Sequence, residues 1–293
     1  MTKYKTIETM GVSSSIGSPI DGSEDAPGYI KKSSDLHFEK NIRIHLNWHE
    51  EIHAENHRNS LEELQIISRQ ISNFTEQQTS ENRPFLVIGG DHSSAIGTWA
   101  GVKKALKDSS FALLWIDAHM DSHTMESSQS KNLHGMPLSV ITGNAVGSLL
   151  KTYPSEYFIN GNDVYLFGIR SYENEEENIL NKTGAHIYKI SSMRTPDEIK
   201  ATFNSIIKTL TDRYDNFGIS LDMDIFDPED APGVNTPAVY GLRAELLIEL
   251  FKNMDVKDKL LGFEISEFNP HKDNQQKTER ILLKCIDAVF SEK

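Results

Sequence analysis

Short apolar runs alternate with helical patterns along the chain, and this alternation restricts the possible fold more than any other feature of the sequence. The runs at 85–88 and 111–116 contain no charged residue and no Gly or Pro, as is typical of strands buried on both faces of a sheet. Candidate strands lie at residues 4–11, 42–46, 85–88, 111–116, 163–168, 187–190, 217–221 and 260–265. Helical patterns lie at 60–74, from the turn at 89–93 to 106, at 173–176, and at 196–214, 242–254 and 278–290. Because such alternation is typical of βαβ units, it predicts a mostly parallel sheet with helices on both faces.

The composition supports one globular unit. Of the 293 residues, 38% are hydrophobic and 25% charged, which is ample material for a core. Neither a linker rich in Pro, Gly and Ser nor an internal repeat divides the middle of the sequence. We therefore expect a single α/β domain over residues 1–293, with a three-layer α/β/α architecture. The one cysteine, Cys285, falls in a helical pattern, and we expect it to be buried as a small hydrophobic residue.

The charge balance bears on the partners. The net charge is −13 and no long cluster of Lys or Arg is present, which argues against a nucleic acid or an anionic membrane as the main partner. An acidic balance suits a cationic substrate. Neither a signal-peptide pattern nor an apolar run approaching membrane-spanning length occurs, so we expect a cytoplasmic protein.

The apolar run at 111–116 ends in Asp117, His119 and Asp121. If strand geometry continued, these side chains would point to one side. Two interpretations are open, namely a solvated acidic turn and a metal site. Buried charge without a partner is costly, so a cluster of this kind at the end of a buried strand favours a cation between the side chains.

Three further strand ends carry polar residues that could join this cluster. His92 follows the run at 85–88, and Asp222 and Asp224 follow the run at 217–221. Glu267 follows the run at 260–265. Since the carboxyl ends of parallel strands line the crevice where ligands bind, we expect these residues to converge.

The donor atoms of this set narrow the choice of ion. Four aspartates and two histidines form an oxygen-rich site without thiolate, which suits Mn(II), while Fe(II), Co(II) and Zn(II) remain possible. The proposed ligands are His92, Asp117, His119, Asp121, Asp222 and Asp224. Six ligands exceed what one ion with an open position needs, so the sequence predicts a two-metal site.

Another histidine series lies outside this set. His45, His49, His53 and His57 recur every four residues and would share one face if the stretch were helical. Because the intervening residues are polar, we interpret these histidines as solvent-facing rather than as a metal site.

The motifs together resemble those of the ureohydrolase family, which includes arginase, agmatinase and formimidoylglutamase. They are Gly89-Gly-Asp-His-Ser, Asp117-Ala-His-Met-Asp, Ser220-Leu-Asp-Met-Asp and Glu267-Phe-Asn-Pro. The arginase branch is suggested by Asn132-Leu-His-Gly-Met-Pro, and by Asp227-Pro with Thr236-Pro downstream.

The resemblance implies an arginase-like fold and the hydrolysis of L-arginine to L-ornithine and urea by a metal-bridging hydroxide. It implies two manganese ions, one on His92, Asp117, Asp121 and Asp222, the other on His119, Asp117, Asp222 and Asp224. His134 matches the family's proton-shuttle histidine, Glu267 the carboxylate that holds the guanidinium, and Thr236 lies nearby. Asp121 is expected to accept a proton during catalysis. A homo-oligomer, a trimer or a hexamer, is the habit of the family.

Residues that match the positions for amino-acid recognition are less typical. His123 and Ser130 match those for the α-carboxylate, although arginases usually have Asn at the position of His123. Glu173 and Glu176 match those for the α-amino end, although Asp is usual at the first. Agmatine or another guanidino or formimidoyl compound therefore stays open as the substrate. A non-catalytic binding protein on the same fold is a further alternative, but such a protein should have lost metal ligands.

Overall fold

Nine parallel strands form the sheet in the part of the chain described by the computed structural model, which comprises residues 5–38, 44–55, 57–107, 109–145, 147, 149, 154–254 and 258–291. The strands are β1 (Lys5–Ser13), β2 (Ile44–Trp48), β3 (Ile52–His53), β4 (Phe85–Ile88), β5 (Phe111–Ile116), β6 (Val164–Ile169), β7 (His186–Lys189), β8 (Asn216–Asp222) and β9 (Leu260–Ser266). Their order is β2-β1-β4-β9-β8-β5-β6-β7, with β3 paired to β1. Every pairing between them is parallel, so the prediction of a mostly parallel sheet is confirmed.

Helices cover both faces of the sheet. They are α1 (Ala26–Phe38), α2 (Leu61–Ser80), α3 (Ser94–Leu106), α4 (Pro137–Ile141), α5 (Asn174–Thr183), α6 (Pro196–Arg213), α7 (Ala244–Asn253) and α8 (Lys277–Phe290). Alternate residues of β5 enter opposite cores: Leu114 packs in the core formed with α1, α6, α7 and α8, and Trp115 in the core formed with α2 to α5. The three-layer α/β/α architecture is thereby confirmed.

The capping residues explain where two of the helices begin. The Ser60 side chain accepts a hydrogen bond from the backbone N–H of Glu63 at the start of α2. Thr195 and Glu198 form a capping box at the start of α6, with Pro196 at its first position. Helix α2 continues to Ser80, beyond the end of the apolar pattern at residue 74. Gly101 of α3 allows the two helices to approach closely at Thr75, since a Cβ there would overlap the Thr75 hydroxyl.

Two predictions about individual residues have clear outcomes. Cys285 is buried, as expected. The helical alternative for the histidine series is wrong, because His45 lies in β2 and His53 in β3. His53 and His57 are largely exposed, which agrees with their interpretation as surface residues. Within the described ranges, no helix is both long enough and apolar enough to cross a membrane.

The strand order determines where a site can form. The four strands that precede the predicted polar residues lie next to one another at the centre of the sheet, in the order β4-β9-β8-β5. Ile116 of β5 pairs with Leu221 of β8. The residues that follow them, Asp117 and Asp222, therefore lie side by side at the carboxyl edge of the sheet.

Candidate metal centre

All six predicted metal ligands converge at the carboxyl edge of the central strands. Their ligand atoms form two groups within which all atoms lie less than 4.8 Å apart, and Asp117 belongs to both. The first group is His92, Asp117, Asp121 and Asp222, and the second is Asp117, His119 and Asp224. Five of the six residues are buried, and His119 is partly exposed.

Asp121 reaches the cluster by a turn and not by continued strand geometry. Strand β5 ends at Ile116, and the backbone of Asp121 is left-handed, with φ 44°. The backbone N–H of His119 donates to Asp117 Oδ1 at 2.6 Å, which closes a tight bend just after the strand. A left-handed non-glycine residue costs about 1–3 kcal/mol and persists only where the surrounding structure holds it.

The first group places one imidazole nitrogen against three carboxylates. His92 Nδ1 lies 3.2 Å from Asp117 Oδ2, 3.1 Å from Asp121 Oδ2 and 3.2 Å from Asp222 Oδ2. Burial lowers the pKa of His92, but the surrounding carboxylates raise it to well above its ordinary value. Burial and the neighbouring Asp117 raise the pKa of Asp121 to about 7.

These electrostatics fit a cation within the cluster. Burial, together with Asp224 and Asp117, also holds the pKa of Asp222 well above its usual range. Within the described part of the chain, His92 Nδ1 has no hydrogen-bond partner of good geometry, although it is completely buried. The three carboxylates repel one another around a single imidazole nitrogen. A divalent cation bound by these four side chains would offset that repulsion.

The second group is smaller and more open to solvent. His119 Nδ1 lies 2.9 Å from Asp224 Oδ2 and 3.6 Å from Asp117 Oδ1. Burial lowers the pKa of His119, but Asp224 and Asp117 raise it to well above its usual value. Because it shares Asp117 with the first group, this group could hold a second cation next to the first.

The buried Glu267 pairs with the partly exposed His134 beside the cluster. Glu267 Oε1 accepts hydrogen bonds from the backbone N–H of His92 at 2.9 Å and from His134 Nδ1 at 3.0 Å. Glu267 Oε2 is also buried, and no hydrogen-bond partner for it exists among the residues the structure describes. The Glu267 backbone is left-handed, with φ 66°. A carboxylate with one oxygen satisfied and the other free is prepared to accept from a cationic group.

A cavity of about 510 Å³ opens above the metal ligands. Its walls include every predicted substrate-binding residue except Glu267, which is hydrogen-bonded to the lining residue His134. The lining residues from the predicted set are His119, Asp121, His123, Ser130, His134, Glu173, Glu176, Asp222 and Thr236. The Thr236 hydroxyl donates to Asp224 Oδ2 at 3.3 Å, so it lies at the floor of this cavity.

The outer end of the cavity is acidic. His123 Nε2 lies 3.5 Å from Glu173 Oε2 and 3.5 Å from Glu176 Oε2. Glu176 is held by the backbone N–H groups of Glu173, at 2.9 Å, and of Ser122, at 3.3 Å. Ser130 also lines the cavity, from the loop before α4, where its hydroxyl accepts from the backbone N–H of Asn132 at 3.3 Å. The outer end thus offers carboxylates and neutral hydrogen-bonding groups.

Several supporting residues were not singled out by sequence analysis. The Trp115 indole donates to Asp117 Oδ2 at 2.9 Å and stacks on the His92 ring at a centroid distance of 4.0 Å. Arg170 donates to the backbone carbonyls of Asp224, at 2.7 Å, and Ala238, at 2.9 Å. In a sequence, a Trp within an apolar strand is assigned to the hydrophobic core. An Arg that binds backbone carbonyls belongs to no recognisable sequence motif.

Asp91, the third residue of the Gly89-Gly-Asp-His-Ser motif, uses both of its carboxylate oxygens to bind backbone groups. Its Oδ1 accepts from the backbone N–H of Ser93 at 2.9 Å, next to the start of α3. Its Oδ2 accepts from the backbone N–H of Gly17 at 2.9 Å, and the Gly17 carbonyl accepts from the His134 backbone at 3.2 Å. Asp91 therefore connects the N-terminal loop to the His134 segment.

Comparison with known proteins agrees with this geometry. A sequence profile described as the arginase family matches residues 5–291. The arginase of Bacillus caldovelox is 31% identical over 304 aligned residues, which cover 99% of each chain. The crystal structure of the Bacillus cereus arginase has a TM-score of 0.86 at 27% identity, with 99% of each chain covered. The Entamoeba histolytica arginase in complex with L-ornithine has a TM-score of 0.85 at 26% identity, covering 99% of this chain and 100% of that one.

The fold and the buried His/Asp cluster define a metal-dependent hydrolase of the ureohydrolase class. Within that class, the chain belongs to the arginase family.

Proposed function

We propose that this protein is an arginase, which hydrolyses L-arginine to L-ornithine and urea with two manganese ions per chain. The observation that carries the proposal is the position of the unpaired, buried Glu267 carboxylate oxygen beside two groups of metal-ligating side chains. That arrangement suits a substrate whose cationic end must lie next to the metal centre.

His92, Asp117, Asp121 and Asp222 would hold one ion, and His119, Asp117, Asp222 and Asp224 the other. The oxygen-rich, thiolate-free donor set favours Mn(II). A bound pair of divalent ions would supply Lewis acidity and lower the pKa of water toward neutrality. Trp115 holds the shared Asp117 by a 2.9 Å hydrogen bond, which keeps one of its oxygens fixed in position.

Glu267 is the proposed anchor of the guanidinium. Its Oε1 is occupied by His92 N–H and His134, so Oε2 is the oxygen left for the substrate. A guanidinium donates charge-assisted hydrogen bonds in a planar fork, and these are about twice as strong as neutral ones. The guanidinium carbon would thereby be oriented for attack by water.

His134 and Asp121 are the proposed proton-transfer groups. In the reaction, a C–O bond forms from water to the guanidinium carbon, and the bond from that carbon to the side-chain nitrogen breaks. Asp121 would take the proton that remains on the attacking oxygen as the carbonyl of urea forms, and His134 would give one to the departing amine. His134 Nδ1 is bound to Glu267, so its Nε2 is the nitrogen left to face the substrate.

The outer cavity supports L-arginine over the alternatives. Ser130 and His123 would bind the α-carboxylate, and Glu173 with Glu176 the α-amino group. Among the described lining residues no Lys or Arg is present, which disfavours the dicarboxylate formimidoylglutamate. Agmatine keeps the amine but lacks the carboxylate, so it would lose only the contacts to Ser130 and His123. The related Entamoeba arginase was solved with L-ornithine, the expected product.

A substrate panel on Mn-loaded protein tests the proposal. L-Arginine, agmatine and N-formimidoyl-L-glutamate are supplied separately, and urea, formamide and the amine products are quantified. We expect urea and L-ornithine from L-arginine with the highest kcat/KM. Preferential turnover of agmatine would reassign the substrate, and absence of any product would favour a binding protein. We also expect a homo-oligomer, a trimer or a hexamer, measurable by light scattering.

A further inference from the structure

Behind the candidate metal centre lies a buried carboxylate that the proposed reaction does not use. Glu264 of β9 is completely buried, and its Oε2 lies 3.6 Å from His92 Nε2. Glu264 Oε1 accepts from the Ser94 hydroxyl at 2.7 Å, and Glu264 Oε2 accepts from the Ser220 hydroxyl in a short contact. The same Ser220 Oγ lies 3.0 Å from His92 Nε2. Glu264, Ser220 and His92 thus form a chain of hydrogen bonds from β9 to the first group of metal-ligating residues.

The direction of each hydrogen bond in this chain follows from the donors available. An ionised carboxylate has no hydrogen and can only accept, so the Ser220 hydroxyl donates to Glu264. A hydroxyl has one hydrogen, and Ser220 Oγ can therefore only accept from His92. His92 Nε2 must then carry a hydrogen atom. When the ring is neutral, its other nitrogen, Nδ1, has the lone pair.

Nδ1 is the nitrogen that faces the three aspartates. We propose that Glu264, acting through Ser220, is a positioning residue that keeps the hydrogen of His92 on Nε2 and so leaves Nδ1 for a metal ion. The proposal rests on the proposed function only in requiring a metal ion at His92. Ligating histidines commonly have their second nitrogen bound in this way, and loss of such a partner typically costs about 10–100-fold in metal affinity.

The surrounding residues leave room for the hydrogen bonds of Glu264 and hold the His92 imidazole ring in place. A Cβ at Gly89 would overlap the Ser94 hydroxyl and come within 3.5 Å of Glu264 Oε1. Glycine at this position therefore keeps the Ser94 bond to Glu264 intact. Trp115 stacks on the His92 ring at an angle of 14° between the planes, so the ring cannot easily rotate away from Ser220.

The Glu264→Gln variant should reverse the direction of the hydrogen bonds that link residue 264, Ser220 and His92, with little change in the shape of the side chain. A Gln amide can donate to Ser220 Oγ, which frees the serine hydroxyl to donate to His92 Nε2 and places the ring hydrogen on Nδ1. Ser220→Ala removes the link altogether and serves as the second variant if Glu264→Gln fails to fold. Glu8→Gln is the matched control, since Glu8 is a buried carboxylate of β1 whose hydrogen-bond partners are Asn47 and His49.

Mn(II) affinity is measured by competition with a chelator, and folding by circular dichroism. We expect Glu264→Gln and Ser220→Ala to bind Mn(II) about 10–100-fold more weakly than wild type, and Glu8→Gln to bind it as wild type does. The second readout is the exchange of the His92 Nε2 hydrogen in ¹⁵N-histidine NMR spectra of the Zn(II)-loaded protein. This hydrogen should be protected from exchange in wild type and exposed to it in Ser220→Ala.

Wild-type Mn(II) affinity in both variants would overturn the positioning role, whatever the activity toward L-arginine. An equal loss of affinity in Glu8→Gln would also overturn it, because general destabilisation would then explain the effect. A wild-type protein that binds Mn(II) tightly but hydrolyses no guanidino compound would instead refute the proposed function and leave the role of Glu264 standing.

Discussion

His134 Nδ1 lies 3.0 Å from Glu267 Oε1, so the proposed proton donor and the proposed guanidinium anchor form one ion pair. Burial lowers the pKa of His134, but the charge and hydrogen bond of Glu267 raise it to about 9. Burial raises the pKa of Glu267, but His134 and the backbone N–H of His92 bring it below its usual value. The pair is therefore imidazolium and carboxylate at neutral pH, and each residue keeps the other in the state its proposed role requires.

Glu267→Gln should reduce kcat/KM for L-arginine while leaving the metal content unchanged. The amide keeps the shape but loses the negative charge that would face the guanidinium. Loss of one partner of a buried, charged pair costs about 2–5 kcal/mol, which corresponds to a fall of about 30-fold to several thousand-fold. Steady-state kinetics and metal analysis on the same preparation test this. Unchanged kcat/KM would remove Glu267 from substrate binding.

His134→Asn should lower kcat while the protein retains its metal ions. A general acid contributes about 10²–10⁴-fold to turnover, and the His134 side chain belongs to neither group of metal-ligating residues. Burst and steady-state kinetics would separate the chemical step from product release. If the variant loses metal in proportion to activity, His134 acts as a ligand and not as a proton donor.

Asp117→Asn and His119→Ala should differ in the number of ions they lose. Asp117 is common to both groups of ligating atoms, so its replacement should empty both sites. His119 belongs to the second group only, and its replacement should leave the first ion in place. Elemental analysis after dialysis measures the ions per chain. The same stoichiometry in both variants would contradict a shared role for Asp117.

Glu8→Gln should destabilise the protein at neutral pH but not in acid. Burial raises the pKa of Glu8, but hydrogen bonds from His49 and Asn47 bring it below the ordinary value of 4.5. A carboxyl with a lowered pKa in the folded state stabilises above its unfolded pKa, and this stabilisation is lost as the pH falls through the folded value. We expect a difference of about 0.5–1.5 kcal/mol in the free energy of unfolding above pH 4.5, diminishing at lower pH.

Chemical denaturation of both proteins across this range measures the difference. Glu249→Gln is the control, because its ion pair with Lys200 is about half exposed on the carboxylate side and should contribute little. A difference between wild type and Glu8→Gln that stays constant into acid would show that packing, not charge, stabilises this position.

Much of the fold and of the ligand set could be predicted from the sequence, because both are encoded over short distances along the chain. The apolar run at β5 matched its strand, residue for residue, since a strand buried on both faces requires consecutive apolar residues. The six ligands lie at strand ends or in the short turns that follow them, and parallel strands bring their carboxyl ends to one edge. The histidine series from 45 to 57 shows the limit of this approach, because its spacing fits a helix that the structure does not form there.

Tertiary structure alone decided how residues distant in the chain are paired. His92 meets Ser220 and Glu264 because β4, β9 and β8 are neighbours, and no periodicity along the chain specifies that order. Asp121 joins the cluster through a left-handed turn, which Asp tolerates better than most residues but which no pattern along the sequence indicates. The sequence by itself determined which residues could bind metal, because hydrophobic pattern and donor chemistry are local. The structure decided which nitrogen, which oxygen and which supporting carboxylate take part, because those depend on contacts between strands.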